Sequence, residues 1–352
     1  MSTTTRALVV TAPGRVELDE IVIDSPRATE VLIEVAATGV CHTDVSWAAG
    51  TLYDDFPVTP GHETSGVVVE VGDAVTRFVP GDRVVIALTH HCGHCRYCES
   101  GHPMLCASRT SQRPRLSWRG EALTQGFGVA GFAAHALVPE SSCVAVPEAV
   151  PLEIAAVVGC AIATGVGAVL NIADVQPGSR VAVWGAGGIG LSVVMGAVLS
   201  GADEVVVVEP HAARRARATK LGATKTVTPD QFESLNDDDF DTVFESAGYT
   251  STMERAIDAT RRGGTTVLLG APPPDHEVRI KALDFVASQK RLLGCITGDV
   301  SPVTDFDRYF RLYLHGRLPL DALVTSTASL DDAATLLVDG PPADEVRVVV
   351  RP

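Results

Sequence analysis

The sequence predicts an α/β fold in which a doubly wound parallel sheet is joined to a β-rich domain. Three observations predict it. Within Val181 to Glu209, an apolar, β-prone stretch leads into Gly185, Gly187 and Gly190 in the order Gly-x-Gly-x-x-Gly. A helix-compatible segment to Gly201 follows, then a second strand, Val205 to Val208, closed by Glu209. Helix and strand patterns alternate through residues 160 to 295, whereas short strands and turns dominate up to residue 150. At 352 residues the chain is long enough for two domains, each with its own core.

In chain order, residues 6 to 40 hold short runs (ALVV, VELDEIVI, EVLIEVAATGV) broken by Pro13-Gly14 and Pro26, a β-rich opening. No linker-like, low-complexity or repetitive segment marks a boundary, so the domains are separated by their change of pattern. In the glycine run, Gly185 makes the tight turn, Gly187 lets backbone approach a pyrophosphate, and Gly190 lets the helix pack closely on its strand. The helix N-terminus offers free N–H groups and a positive dipole end to phosphates. Glu209 would accept hydrogen bonds from the adenosine ribose hydroxyls and repel a 2′-phosphate, which favours NAD over NADP. Residues 211 to 221 read as a basic helix ended by Gly222. Phe240 to Phe244 and Thr265 to Leu269 read as further strands with a helix, Met253 to Arg262, between them, and EVRVVVR closes the chain as a strand.

Composition narrows the classes. Charged residues are 20% and hydrophobic residues 46%, a soluble globular balance. The net charge of −15 argues against sequence-independent nucleic-acid binding, because no basic surplus is left to neutralise phosphates. Ala182 to Ala202 carries no charge and matches a membrane span of about 20 residues by length. Five glycines between Gly185 and Gly196 make it a poor continuous helix, so no membrane partner is expected. MSTTTRALVV lacks the length and cleavage pattern of a signal peptide, and a cytoplasmic protein is expected. In a reducing compartment, eight cysteines are metal ligands or buried thiols rather than disulfides.

Two constellations carry chemistry. Cys41-His42-Thr43-Asp44, Pro60-Gly61-His62-Glu63 and Cys160 supply borderline-soft ligands, and a catalytic zinc needs three of them with one position open. Cys41 and His62 taken alone fit a buried thiol and a core histidine equally well. Cys92, Cys95, Cys98 and Cys106 are spaced Cys-x2-Cys-x2-Cys-x7-Cys and can close around one tetrahedral ion. An iron–sulfur cluster is the competing assignment. Structural zinc is favoured because the ferredoxin continuation Cys-x3-Cys-Pro is missing. His90, His91 and His94 crowd this lobe and are expected to be solvated loop residues; Cys143 and Cys295 are assigned to packing.

With GHETSGVVVEVGDAVTRFVPGDRVV (61 to 85), the four-cysteine lobe, GCAIATGVGAV and the glycine run, the sequence resembles the zinc-dependent alcohol dehydrogenases of the medium-chain dehydrogenase/reductase superfamily over nearly its whole length. The resemblance implies a Rossmann NAD-binding domain over 159–296. It also implies a β-rich GroES-like catalytic domain over 1–158 and 297–352 with a zinc lobe at 90–107. It implies two zinc ions per chain, one catalytic on Cys41, His62 and Cys160, one structural on Cys92, Cys95, Cys98 and Cys106. Glu63 would stand beside the catalytic metal, Thr43 would bond the substrate oxygen, and Asp44 would orient His62. The implied cofactor contacts are His42 and Arg347 on the pyrophosphate, Arg214 at the adenosine ribose, and Thr164, Gly185, Gly187, Gly188, Ile189, Gly190 and Glu209. Gly270-Ala271-Pro272 would meet the nicotinamide carboxamide. Leu52, Leu88, Phe127 and Ile296 would wall an apolar substrate pocket, which fits primary aliphatic or aromatic alcohols and their aldehydes.

The sequence departs from the liver-type pattern in two places. Ser46 stands where many members place the histidine that ends a proton relay, so the relay would end in Ser46 or water. The segment from Cys106 to Cys160 is also shorter. A homo-oligomer is expected, a dimer through the edge of the dinucleotide-domain sheet ahead of a tetramer. Other activities on the same fold are a zinc-dependent synthase or lyase, a zinc-free quinone reductase and a structural lens-type protein. The closest alternative is a nicotinoprotein that never releases NAD and uses a second substrate as electron acceptor.

Overall fold

The computed structural model describes residues 2–88, 91–108, 115–235 and 239–352. The chain divides into two units, Met1–Cys160 with Ser301–Gly316 and Leu320–Pro352, and Ala161–Val300 with Arg317–Pro319.

In the second unit, six strands form one parallel sheet: β1 Arg180–Trp184, β2 Glu204–Val208, β3 Lys225–Val227, β4 Phe240–Glu245, β5 Thr260–Leu268 and β6 Arg291–Gly294. Their spatial order is β3-β2-β1-β4-β5-β6, so two mononucleotide-binding halves meet between β1 and β4. Helices cover both faces of such a sheet, which is why Val181–Val183 and Val205–Val207 are continuous apolar runs and fully buried. One core joins Trp184, Val206, Phe232, Phe240 and Val243, with the Trp184 and Phe232 rings 4.9 Å apart.

The glycine run does mechanical work at the end of β1. Gly185 sits at φ +89°, in the region glycine tolerates best. A Cβ on Gly190 would lie 2.0 Å from the Gly185 carbonyl oxygen and 2.8 Å from Ser246 Oγ, so no larger residue fits the turn. Gly187 caps the helix Gly188–Leu199, and a Cβ there would meet nothing within 4 Å, leaving its approach open. That helix has 12 residues and is buried almost all round. No single helix among the described residues is long and apolar enough to cross a membrane.

The fourth crossover differs from the sequence expectation. The helix runs Thr250–Ala259 rather than Met253 to Arg262, and the strand already begins at Thr260. Thr260 pairs with Phe240, and its hydroxyl bonds the Ala256 carbonyl (2.9 Å) and the Thr266 hydroxyl (2.7 Å). These bonds stop the helix and absorb Arg261 to Gly264 into an irregular strand.

The first unit is β-rich. Thr3–Ala12, Arg15–Ile23, Leu116–Trp118, Glu121–Gln125 and Val58–Thr59 close into a barrel. Pro13-Gly14 turns the first hairpin, with Gly14 at φ +71°. A second sheet runs Cys143–Ala145, Arg83–Ile86, Glu63–Val71, Glu30–Gly39, Arg347–Arg351 and Val324–Ser329, with His135–Pro139 also on Glu30–Gly39. Its inward residues, among them Val31, Ile33, Val68, Val84 and Ile86, form one core cluster. Glu30–Gly39 is paired on both sides by Glu63–Val71 and Arg347–Arg351 near its end, so three distant stretches of sequence converge there.

Candidate metal centres and dinucleotide site

The strand Glu30–Gly39 delivers Cys41 to the N-cap of the short helix His42–Ala48. Asp44, at the third helical position, folds back to accept the Cys41 backbone N–H at 3.1 Å. The same carboxylate accepts the Gly61 N–H at 3.0 Å and lies 3.0 Å from His62 Nδ1. Gly61 sits at φ +100°, with room for a Cβ denied by Phe132 N at 2.5 Å. This turn aims His62 inward, with Nδ1 held by Asp44 and Nε2 left for a metal. Cys160 follows the tight turn Val157–Gly159, where a Cβ on Gly159 would lie 2.5 Å from the Ile86 carbonyl oxygen.

One donor atom from each of Cys41, His62, Glu63 and Cys160 lies within 4.8 Å of the others, and no member is more than 7% exposed. Glu63 is already engaged by a cation of the chain's own. Arg347, from the strand Arg347–Arg351, holds its carboxylate at 2.9 and 3.1 Å through Nε, and its Nη2 lies 3.6 Å from Cys41 Sγ. The resemblance put Arg347 on the pyrophosphate; here the guanidinium is buried in the cysteine cluster. Two thiols and an imidazole with the carboxylate withheld fit a zinc centre that keeps one position open.

The electrostatics suit a cation held among these donors. The bond between the two thiols and the nearby Arg347 and His62 charges hold Cys41 well below the ordinary thiol range, against burial. The same bond, with burial, pushes Cys160 well up, so the pair keeps one proton that a metal would displace. Burial raises Glu63 to about 6 despite the Arg347 charge. Burial alone would lower His62, but the Asp44 and Cys41 charges outweigh it and raise it well above the usual value.

The second set is Cys92, Cys95, Cys98 and Cys106, whose sulfurs also lie within 4.8 Å of one another. Cys95 Sγ is 3.5 Å from Cys98 Sγ and 4.0 Å from Cys106 Sγ. Zinc–sulfur bonds of ~2.3 Å in a tetrahedron require edges of ~3.8 Å. The N–H groups of Cys92 and Ser108 donate to Cys106 Sγ at 3.3 and 3.4 Å. Backbone donation, from His94 first, lowers Cys92 to about 6, while desolvation pushes Cys98 up to about 11. His94 is exposed with Nδ1 2.7 Å from the Cys92 carbonyl, His91 is half-buried, and His90 lies outside the described residues.

The remaining site residues are placed as follows. Thr43 Oγ1 lies 3.7 Å from Cys41 Sγ, Ser46 is half-buried on the same helix, and His42 is exposed at its start. Phe127 packs on His62 with ring centroids 4.8 Å apart, at a left-handed φ of +53° between Gly126 and Gly128. Trp47 and Tyr53 extend this wall: Trp47 is 5.0 Å from Phe127 and 4.6 Å from Tyr53. Sequence analysis missed both. The signals available were QGFGVAG, a glycine-flanked aromatic, and a tryptophan one helix away from a ligand cysteine. Leu52 and Leu88 are half-buried, and Ile296, in the other unit, is 51% exposed.

In the dinucleotide unit, Glu209 follows β2 and is buried. Its Oε2 accepts the Ala186 N–H of the glycine turn at 2.8 Å, and Oε1 accepts the His211 N–H at 2.8 Å. Arg215 braces the main chain beside this acid, donating to the Glu209 and Pro210 carbonyls at 2.7 Å. Gly188 and Ile189 open the helix after the turn, and Thr164 is buried on the helix Ala161–Gly167.

A two-half parallel sheet with a glycine turn, in one chain with a β-rich unit bearing two cysteine-rich donor sets, defines the class of zinc-binding dehydrogenases. Comparison with known proteins agrees. Residues 27–148 match the family model of the alcohol dehydrogenase GroES-like domain, and residues 188–314 match that of the zinc-binding dehydrogenases. A geraniol dehydrogenase of Castellaniella defragrans is 35% identical over 89% of this chain and 88% of its own. An S-(hydroxymethyl)glutathione dehydrogenase of Escherichia coli is 35% identical over 98% of this chain and 99% of its own. The crystal structure of benzyl alcohol dehydrogenase from Acinetobacter calcoaceticus superposes with a TM-score of 0.92 at 29% identity, covering 99% of each chain. The chain belongs to the zinc-dependent alcohol dehydrogenases of the medium-chain dehydrogenase/reductase superfamily, and is an oxidoreductase of that family.

Proposed function

We propose that this chain interconverts a primary alcohol, aliphatic or aromatic, and its aldehyde with NAD(H), using one catalytic and one structural zinc. The observation that carries the proposal is the buried Cys41–His62–Cys160 set whose carboxylate neighbour, Glu63, is held by Arg347. Bound zinc supplies a Lewis acid that lowers the alcohol's pKa, and bound NAD supplies the hydride acceptor.

The chain's own residues do the rest. Asp44 fixes the His62 tautomer and ring. Thr43 Oγ1, beside Cys41, takes the substrate hydroxyl proton and passes it outward, with Ser46 in the place of a relay histidine. Phe127, Trp47 and Tyr53 give the cluster an aromatic flank that excludes water and suits an apolar alcohol. The named substrates of the geraniol and benzyl alcohol relatives are apolar primary alcohols of this kind. Metal analysis and turnover of such alcohols with added NAD test the proposal. Two zincs per chain with NAD-dependent oxidation support it, and stoichiometric NAD retained through purification would point to the nicotinoprotein instead. The reducing conditions of the cytoplasm suit six thiolate ligands.

NAD is preferred to NADP because the buried Glu209 carboxylate, pinned by two backbone N–H groups, would repel a 2′-phosphate. Glu209→Gly is expected to shift the ratio of NAD to NADP kcat/KM toward NADP by about ten-fold or more, the equivalent of one lost charge-assisted contact. An unchanged ratio would remove Glu209 from the ribose site.

A second copy of the chain is the proposed oligomer partner. Among the described residues β6 pairs only with β5, and the helix Ala282–Ser288 exposes Leu283 (79%) and Val286 (72%). Sedimentation is expected to give a dimer, and Leu283→Glu a monomer; a wild-type monomer would end this assignment.

A further inference from the structure

Glu245 is a buried acid that the functions above leave unused. It is the last residue of β4, fully buried. Its Oε1 serves three donors, the N–H groups of Ala247 and Gly248 at 2.9 Å and the Thr252 hydroxyl at 2.8 Å. Its main-chain carbonyl accepts the N–H groups of Leu269 (2.8 Å) and Gly270 (3.0 Å). Oε2 has no hydrogen-bond partner among the described residues, and a Cβ on Gly270 would lie 2.7 Å from it and 2.4 Å from Gly248 N and Cα. One residue thus ties the turn after β4, residues 246–249, to the turn after β5, residues 269–271, and glycines let the two turns touch. Burial raises the carboxyl above its ordinary value, so an acid is kept here at a cost.

The sheet order says what lies over those turns. The glycine turn and Glu209 sit at the carboxyl ends of β1 and β2, in one half of the sheet. A dinucleotide crosses the switch point between β1 and β4, so its second nucleotide rests over the carboxyl ends of β4 and β5. Glu245 and Leu268 are paired in register there. We propose that Glu245 is a positioning residue for the nicotinamide half of the cofactor: it fixes the spacing of the two turns on which that half lies. The proposal rests on the NAD(H) assignment above.

Binding measurements on the full-length enzyme separate the two. NADH and ADP-ribose differ by the nicotinamide ring alone, so fluorescence titration with NADH and competition by ADP-ribose separate the ring's binding from that of the rest of the cofactor. Glu245→Ala strands three buried donors, and NADH affinity is expected to fall by about ten-fold or more while ADP-ribose affinity stays within about two-fold. Glu245→Gln keeps the acceptor oxygen and should restore NADH binding. Gly270→Ala keeps the acid but sets a methyl against Gly248 and Oε2, pushing the turns apart, and it should give the same split if Glu245→Ala proves too unstable to purify. NADH and ADP-ribose affinities falling together, or neither falling, overturns the positioning role. Wild-type protein that binds neither ligand overturns the cofactor assignment itself.

Discussion

Cys41→Ser is expected to abolish turnover while leaving the fold intact. The cysteine contributes a sulfur to the buried donor set, and a serine hydroxyl at neutral pH is a poor metal ligand. Its structural role is carried by the main chain, through the N–H that Asp44 accepts, and serine keeps that bond. The helix His42–Ala48 and the Gly61 turn should therefore persist. Loss of a mere partner to a metal ligand costs ~10–100-fold, so loss of the ligand itself should lower kcat/KM by well over ~100-fold. Elemental analysis should show zinc falling by half, with circular dichroism and Tm close to wild type. Retained activity in a variant with full zinc would remove Cys41 from the catalytic centre.

Cys98→Ser should show the opposite pattern, with stability lost first. Four thiolates around one ion would close a loop that has few apolar residues of its own, and structural zinc contributes ~10–16 kcal/mol to folding in small zinc modules. Burial and its sulfur neighbours raise the Cys98 thiol to about 11, so without a cation this lobe keeps a reluctant thiol among three others. The variant should lose the lobe's zinc, become sensitive to protease between Cys92 and Cys106, and melt several degrees lower at ~2–4 °C per kcal/mol. Unchanged Tm and zinc content would show that the lobe holds no metal.

Much of this architecture was legible because its signals are local. Val181–Val183 and Val205–Val207 read as buried parallel strands, and the glycine order gave the turn between strand and helix. Cysteine spacing alone picked out the set that the fold gathers at Cys92–Cys106. What stayed hidden depends on long-range packing. The pair Arg347–Glu63 joins residues 284 apart, and nothing near Arg347 in sequence points to an acid. Trp47 and Tyr53 join the site only through the fold, where both rings meet Phe127. The helix expected to reach Arg262 ended at Ala259 because Thr260 was claimed by Phe240 across the sheet, a competition that helix propensity cannot register.

The Arg347–Glu63 pair also sets an order of assembly on the ribosome. The 284 residues between them take roughly 15–60 s to synthesise at ~5–20 residues per second. For the first third of that interval Cys160 is itself unmade, and throughout it Cys41, His62 and Glu63 stand without the guanidinium that holds Glu63 aside. A divalent ion met by the nascent chain would find that acid without its partner. Only when the strand Arg347–Arg351 joins Glu30–Gly39 is that acid withdrawn, so the completed sheet, not the ligands alone, decides how many donors the ion keeps.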